Sequence, residues 1–474
     1  MSVFKSLLKD TFIYGLATVL PRLMSLILVG LHTDVLSTEG FSDNTSFYVY
    51  AAFANVFLTY GMETAFFRFF SKSNNDPKVF STVLIALTTT TIIFFGICYF
   101  NISFLSTFLK IPSTQLLILI SILTLDTLAV SAFILYRIQS KAIKFACIKI
   151  INLVIYVGLN FFFLKLVPAY NLDLPEFLYF HKVEYIFVAN LLGSLVVFIL
   201  ILPTYFKFKF TFDKLIFRSL LNYGLPIMIA GIAFVINENL DKLLLKEFLG
   251  KSTMGAYSGC YKLTVFLTLF IQAFRMGVEP FIFNQAKNKN AKNTYALVLK
   301  FYVIFASLGV LFVLTFLDFF KEIMIRDESY WFAIGIVPIV LLANWCLGAY
   351  HSLSVWYKMT DKTYYGMIFS IIGAIITILM NYLLIPKYGF MISAYATLCA
   401  YALMMLVSYF QGQRIYYIPY DLKRIGIYTI TTLLITCGII QYQVSFLIKI
   451  TGILLYLILV FVFEKEQIKD ILKR

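Results

Sequence analysis

The chain of 474 residues is 61% hydrophobic and only 13% charged, with a mean hydropathy of +0.87. This composition excludes a soluble domain of ordinary size, because no stretch is both long and polar enough to form one. The formal charge of +15 arises from 39 basic and 24 acidic residues. Basic residues flank the apolar runs, so we assign this charge to contacts with anionic lipid headgroups and exclude nucleic acid as a partner.

Apolar runs of about 20 residues recur from Thr11 to Phe463, and each can cross a bilayer core as a helix. The spans must be helical because lipid offers no partner for a free backbone N–H or C=O group. The first run is too long for a cleavable signal peptide, so we expect it to be the first span. The sequence therefore predicts an all-α polytopic membrane protein with about 14 transmembrane helices, spans 1 to 14, over residues 11–33, 46–70, 80–100, 113–136, 145–167, 183–205, 220–240, 253–275, 294–317, 329–352, 361–385, 389–411, 422–441 and 443–463.

Basic residues concentrate in alternate loops between these spans. Lys141, Lys144, Lys207 and Lys209 illustrate the rich set, which lies on the same side as the N-terminus. Because cytoplasmic loops carry the excess of Lys and Arg, both termini are predicted to be cytoplasmic. The longest loop on the opposite side, residues 168–182, holds no convincing catalytic constellation.

Short motifs recur in the two halves of the chain at one fixed offset. Tyr14-Gly15-Leu16 and Tyr223-Gly224-Leu225 open spans 1 and 7. Val56-Phe57-Leu58-Thr59 lies in span 2, and the same four residues recur from Val265 in span 8. A looser match pairs Asn160 with Asn381.

This offset predicts two parallel six-helix repeats that form an N-lobe, residues 1–212, and a C-lobe, residues 213–415. Residues 416–474 would add spans 13 and 14 and a cytoplasmic tail. Transporters built from such repeats bind substrate near the bilayer midplane between their halves. Spans 13 and 14 lie outside the repeat and carry almost no intramembrane charge, so we expect them to pack outside the two lobes and to border a hydrophobic groove that runs into the bilayer.

Three arginines lie in spans where a charge is costly, so each is expected to face a cavity or a partner. Arg22 follows Pro21 in span 1, Arg68 lies in span 2 and Arg275 in span 8. The planar guanidinium suits bidentate binding of phosphate. Alternatively, Arg22 forms a structural ion pair with an acid such as Glu63, Asp10 or Asp126, and the other two arginines anchor to headgroups.

Other polar groups in the spans complete the candidate site. Glu63 and Gln272 occupy matching positions in the two halves and are predicted to bind substrate with the arginines. Asp126 in span 4 and Asn152 in span 5 are expected to form hydrogen bonds between helices. At the end of span 7, a polar run is predicted to couple H⁺ or Na⁺ or to act as a gate, with a solvated helix end as the alternative: Asn237, Glu238, Asp241 and Lys242. Neither a metal site nor another cofactor is predicted from the spacing of the cysteines and histidines.

Several motifs are similar to those of the bacterial polysaccharide flippases, the Wzx-like O-antigen flippases of the multidrug/oligosaccharidyl-lipid/polysaccharide exporter superfamily. The resemblance covers about residues 5–415. It is carried by Gly61-Met62-Glu63-Thr64, Leu221-Asn222-Tyr223-Gly224-Leu225-Pro226, Asp241-Lys242, Gly255-Ala256-Tyr257-Ser258, Glu279-Pro280-Phe281 and the turn from Asn381 to Gly389.

The resemblance implies a two-lobed fold with a central cavity that opens alternately to each membrane face. It implies an undecaprenyl-pyrophosphate-linked oligosaccharide as substrate, moved to the outer leaflet of a bacterial cytoplasmic membrane for surface polysaccharide biosynthesis. Polysaccharide polymerase machinery would then be a partner. Flippases of this superfamily that act on lipid II carry cavity arginines in helices 1, 2 and 8, the positions of Arg22, Arg68 and Arg275.

Two other functions remain open from the sequence. A cation or drug antiporter of the same superfamily would usually have twelve helices and an acidic cavity. A membrane polysaccharide polymerase or ligase would be an enzyme, and it would usually carry a sizeable outer loop with catalytic groups. The spans with arginines favour a non-enzymatic transporter of an anionic lipid.

Overall fold

In the computed structural model the described part of the chain is helical and contains no strand. The described residues are 20–21, 23–24, 26–72, 76–139, 141–173, 175, 180–285, 290–442 and 445–472. Contacts divide the chain into two compact units, unit 1 (Met1–Val235) and unit 2 (Ile236–Arg474). The lobe boundaries drawn from the sequence repeat remain a prediction.

In unit 1, polar N-cap residues mark where two of the apolar helices begin. Ser37 caps the second helix by accepting a hydrogen bond from the Gly40 amide, and Asp76 caps the fourth helix in front of Pro77. The helices are α1 (Leu26–Val35), α2 (Thr38–Thr59), α3 (Met62–Lys72), α4 (Pro77–Phe100), α5 (Ile102–Leu109), α6 (Ser113–Ile138), α7 (Ala142–Phe161), which continues through a π-helical turn to Ala169, and α8 (Lys182–Tyr205).

A long helix joins the two units, and the remaining helices belong to unit 2. They are α9 (Lys214–Tyr261), α10 (Val265–Gln285), α11 (Ala291–Thr315), α12 (Leu317–Met324), α13 (Ile336–Leu353), α14 (Val355–Met359), α15 (Tyr364–Tyr388), α16 (Met391–Ile415), α17 (Leu422–Tyr442) and α18 (Phe446–Leu472), with short 3₁₀ turns at Lys262–Thr264 and Glu328–Ala333.

Among the described residues, eleven helical stretches are long and apolar enough to cross a membrane. One of them, Lys214–Val278, contains 65 residues and covers both predicted spans 7 and 8. The all-α, multi-pass fold is therefore confirmed, whereas the count of fourteen spans stays a prediction. Most of span 1, including Arg22, lies outside the described residues.

Predicted span 2 is not one helix, because α2 ends and α3 begins at Tyr60 and Gly61. Both residues have positive φ, 30° and 73° respectively. A β-carbon built on Gly61 would overlap the carbonyl oxygen of Gly224, and one on Gly224 would lie 2.7 Å from the carbonyl oxygen of Tyr60. Glycine at both positions thus lets α9 touch the break directly, and this contact places Glu63 and Arg68 on the separate helix α3.

Predicted span 7 is longer than expected. Helix α9 continues past residue 240 and is interrupted only at Gly250, where φ is 87° and ψ is 171°. The polar run from Asn237 to Lys242 therefore lies inside the helix, and the expectation that it ends span 7 is wrong. Residues inside a helix keep fixed directions, so this run can hold contacts with neighbouring helices.

The looser match of the two halves, Asn160 with Asn381, has a structural counterpart. Both side chains are fully buried, and each donates a hydrogen bond to the carbonyl four residues earlier, at Tyr156 and at Thr377. Their other partners differ: Asn160 bonds His32 at 2.9 Å, whereas Asn381 accepts from Ser393 at 2.7 Å.

Helices α17 and α18 are held on α11 by a buried ion cluster. The Glu464 carboxylate contacts Lys300 Nζ at 2.7 Å, Arg424 Nη1 at 3.1 Å and the Tyr428 hydroxyl at 2.8 Å. Glu464 and Lys300 are both 2% exposed. Helix α18 extends beyond predicted span 14, which ends at residue 463, and buries the Glu464 carboxylate just past that end.

Candidate functional site

Unit 1 encloses a polar cavity of about 330 Å³ between helices α2, α3, α6, α7 and α8. Glu63 of α3 and Arg137 of α6 form an ion pair at its wall, 3.3 Å apart, and both side chains stay about half exposed. The lining also includes Asn55, Asp126, Lys149, Asn152, Asn190 and Ser194.

Two of these charges come from inside apolar helices. Asp126 of α6 accepts a hydrogen bond from Ser194 of α8 at 2.7 Å, as expected of a bond between helices. Lys149 of α7 lies over the Phe133 ring at 4.2 Å and interacts electrostatically with Asp126 and Glu63. Lys149 lies near the start of predicted span 5, and the structure places it in the cavity wall.

Arg68 lies elsewhere on α3 and outside the lining of this cavity. It is exposed, and its guanidinium stacks over the Tyr223 ring of α9 at 4.4 Å from the centroid. A cation held over an aromatic face keeps its hydrogen-bond donors available at the ring edge. Arg22 cannot be placed, since it lies outside the described residues.

A second cavity lies within unit 2, between α10 and the α13–α14 pair. Arg275 lines it together with His351 and Lys358, two basic residues that the sequence interpretation missed. Ser352 and Ser354 supply hydroxyls, and the described residues of the lining include no carboxylate. The internal space is about 20 Å³, room for one water molecule, so a phosphate would need these side chains to separate. Gln272 is half-buried on α10 and does not line this cavity.

The polar run of α9 forms a third group, buried against α15 and α16. Asn237 donates to the Ser370 carbonyl at 3.1 Å and accepts from Thr377 at 3.1 Å. The Glu238 carboxylate accepts a hydrogen bond from Tyr401. These hydrogen bonds connect α9 to α15 and α16.

The same group contains an ion pair. Asp241 lies 3.1 Å from Lys242 Nζ and accepts a second hydrogen bond from Tyr257 at 3.1 Å. Lys242 also donates to the Glu238 carbonyl at 2.5 Å and lies over the Tyr261 ring. All of the predicted ion-coupling residues are thus brought together. Over the described ranges, no group of three His, Cys, Asp or Glu side chains could hold a metal ion.

Solved structures with the same architecture are transporters. The lipid II flippase MurJ in its inward closed conformation superposes with a TM-score of 0.76 at 17% identity, covering 96% of this chain and all of that one. An inward-facing multidrug resistance MATE family transporter gives 0.62 at 12% identity over 87% of this chain and 96% of its own. A transporter of the same superfamily from Pyrococcus furiosus gives 0.63 at 11% identity over 90% and 96%.

Sequence comparison gives the family. No curated protein matches the chain. The model described as "Polysaccharide biosynthesis protein" matches residues 7–284, which is more than half of the chain, and the MatE model matches residues 226–383. The chain belongs to the polysaccharide biosynthesis protein family, and thereby to the multidrug/oligosaccharidyl-lipid/polysaccharide exporter superfamily that its motifs predicted.

Proposed function

We propose that this membrane transporter flips an undecaprenyl-pyrophosphate-linked oligosaccharide from the cytoplasmic to the outer leaflet by alternating access. The observation that carries the proposal is the second cavity, where Arg275, His351 and Lys358 converge and the described lining residues include no carboxylate. Such a lining favours an anion over a cation, and its apolar remainder suits a site that excludes water.

The pyrophosphate is the part of the substrate that needs this lining. It loses its hydration on entering a low-dielectric cavity, and charge-assisted hydrogen bonds of about 1.5–3 kcal/mol each must replace the lost water. Arg275 would supply a bidentate contact, with Lys358 as a mobile point charge beside it. Arg68 and Arg22 remain candidates for the same role, with Glu63 and Gln272 as further substrate contacts.

The experiment is a flipping assay in liposomes with a lipid-linked oligosaccharide. Arg275→Ala is expected to lower the initial rate by about tenfold or more, since the loss of one such bond corresponds to that factor. Arg275→Lys should recover part of the rate, because it restores the positive charge but not the planar guanidinium that makes the bidentate contact. Arg414→Ala, an exposed arginine of the same unit that lines neither cavity, is the matched control. Rates within twofold of wild type for Arg275→Ala would contradict the proposal.

The buried group on α9 supports ion coupling as part of the same proposal. Asn237, Thr377 and the Ser370 carbonyl offer the oxygen ligands that Na⁺ accepts, while Glu238 beside Tyr401 can hold a proton. Flipping driven by a Na⁺ gradient and lost in Asn237→Ala would assign Na⁺. Flipping driven by a pH gradient and lost in Glu238→Gln would assign H⁺.

This acidic group also favours the second candidate function, an antiporter for cations or drugs. The two functions are separable by substrate: uptake of a cationic dye into vesicles, driven by an ion gradient, would support the antiporter. For the flippase we place the chain in a bacterial cytoplasmic membrane with both termini cytoplasmic, acting without catalysis and beside polysaccharide polymerase machinery.

A further inference from the structure

We propose that the cavity of unit 1 binds a sugar ring of the substrate, a role that rests on the proposed flippase function. The cavity is assembled from five helices and measures about 330 Å³, the lower range of small-molecule pockets. That volume is far larger than one ion requires, and it admits a single sugar ring with a few water molecules.

Among the described residues that line the cavity, the charges balance. Glu63 and Asp126 contribute two carboxylates, and Arg137 and Lys149 contribute two cations. A pyrophosphate would meet both carboxylates, and a cationic drug would meet both cations. The lining therefore suits a ligand that is neutral or carries both signs, and it disfavours either kind of simple ion.

The hydrogen-bonding groups of the lining match a ring of hydroxyls. Each sugar hydroxyl both donates and accepts, so its site needs donors and acceptors side by side. Amides provide both functions, the carboxylates only accept, and the ammonium and guanidinium groups only donate. The amides of the lining are Asn55, Asn152 and Asn190.

An aromatic surface accompanies these polar groups. Phe133 and Phe145 both line the cavity, with ring centroids 5.4 Å apart in an edge-to-face arrangement. The C–H face of a pyranose packs on such rings while its hydroxyls point toward the amides and charges. Lys149 lies over one face of the Phe133 ring, which leaves the opposite face of that ring and the Phe145 ring for the sugar.

Substrate protection of an introduced cysteine tests the proposal in the full-length protein. Val130 lines the cavity without a polar group, so Val130→Cys, in a background without the six native cysteines, reports occupancy and leaves the sugar contacts in place. The probes are lipid-linked oligosaccharides extracted from the native membrane and undecaprenyl pyrophosphate without sugar. Ser352→Cys in the second cavity is the matched reporter for the pyrophosphate.

We expect the oligosaccharide lipid to slow methanethiosulfonate labelling of Val130→Cys at least fivefold, and undecaprenyl pyrophosphate to leave it unchanged. Both lipids should protect Ser352→Cys. Protection of Ser352→Cys alone would overturn the sugar site and leave the flippase in place, whereas no protection at Ser352→Cys would count against the proposed function itself. Equal protection of Val130→Cys by both lipids, or a cysteine that the reagent never reaches, would also overturn the sugar site.

A second measurement uses flipping kinetics. Asp126→Asn and Lys149→Met should each raise the concentration of oligosaccharide lipid needed for half-maximal flipping by about tenfold, with a smaller change in the maximal rate. Asp126→Glu should recover part of this loss. A purely structural role would instead lower the amount of folded protein and leave the half-maximal concentration of the remainder unchanged.

Discussion

The cavity of unit 1 and the second cavity, in unit 2, differ in the charge that their described lining residues carry. In unit 1, two acids and two bases share the wall, and amides lie between them. In unit 2, Arg275, His351 and Lys358 share the wall without a carboxylate among the lining residues. Charge balance suits a polyhydroxylated ligand, and charge excess suits an anion. A lipid-linked oligosaccharide carries both chemistries in one molecule, which is why one chain would need two kinds of polar site.

The largest expected effect is on the yield of folded protein, when a side chain is added at the close contact between Gly61 and Gly224. Gly61→Ala should abolish folded protein, because the new methyl group overlaps the Gly224 carbonyl and the residue has positive φ. The yield of monodisperse protein after detergent extraction measures this. Gly96→Ala is the control, since a β-carbon there meets nothing within 4 Å. A normal yield of Gly61→Ala would mean that α3 and α9 can separate without loss of the fold.

The next effect concerns the buried ion cluster that fixes the last two helices on α11. Glu464→Gln removes the buried carboxylate that pairs with Lys300 and Arg424, while Arg424 keeps its contact with Asp421. Breaking a buried pair costs about 3–5 kcal/mol. We expect the melting temperature in detergent to fall by several degrees. Asp318→Asn is the control: the Asp318 side chain is 67% exposed, which limits its ion pair with Lys449 to about 1 kcal/mol or less. Equal changes in both variants would contradict the buried anchor.

These two predictions show what the sequence could and could not reveal. Long apolar runs predicted the helices because each run alone must cross the bilayer. The break at Gly61 depends on the carbonyl of Gly224, far away in sequence, and no local pattern encodes that contact. The charged residues of unit 1 were visible one by one, but their meeting depends on the register of five helices.

The cationic cavity of unit 2 offered a signal that the sequence interpretation missed. His351 and Lys358 are seven residues apart, a spacing that places two side chains on one side of a regular helix. Lys358 lies beyond residue 352, where predicted span 10 ends, and charged binding residues were expected only inside spans or directly at their ends. Helix α14 follows that predicted end, and Lys358 on it lines the cavity with Arg275.

Removing one basic side chain from the cavity of unit 2 should slow flipping. Lys358→Met is expected to lower the initial flipping rate by about tenfold, because it removes one charge-assisted contact while keeping the length and packing of the side chain. Lys362→Met, an alteration of a nearby lysine outside this lining, is the control. Unchanged flipping by Lys358→Met would remove this lysine from the anion site and restrict the role to Arg275 and His351.

The smallest effect distinguishes charge balance from individual charges in unit 1. Glu63 and Arg137 are about half exposed, so their ion pair contributes at most about 1 kcal/mol to stability. Glu63→Gln leaves the cavity with a net positive charge and Arg137→Gln leaves it negative. Each should slow flipping a few fold, and the double variant should return toward the wild-type rate because balance is restored. A double-mutant cycle on the initial flipping rate measures this coupling, expected at about 0.5–1 kcal/mol. If the double variant is as slow as the product of the two single effects, the two groups act independently. In that case the two cavities would differ in the chemical groups of their linings, and the net charge of each lining would not matter for flipping.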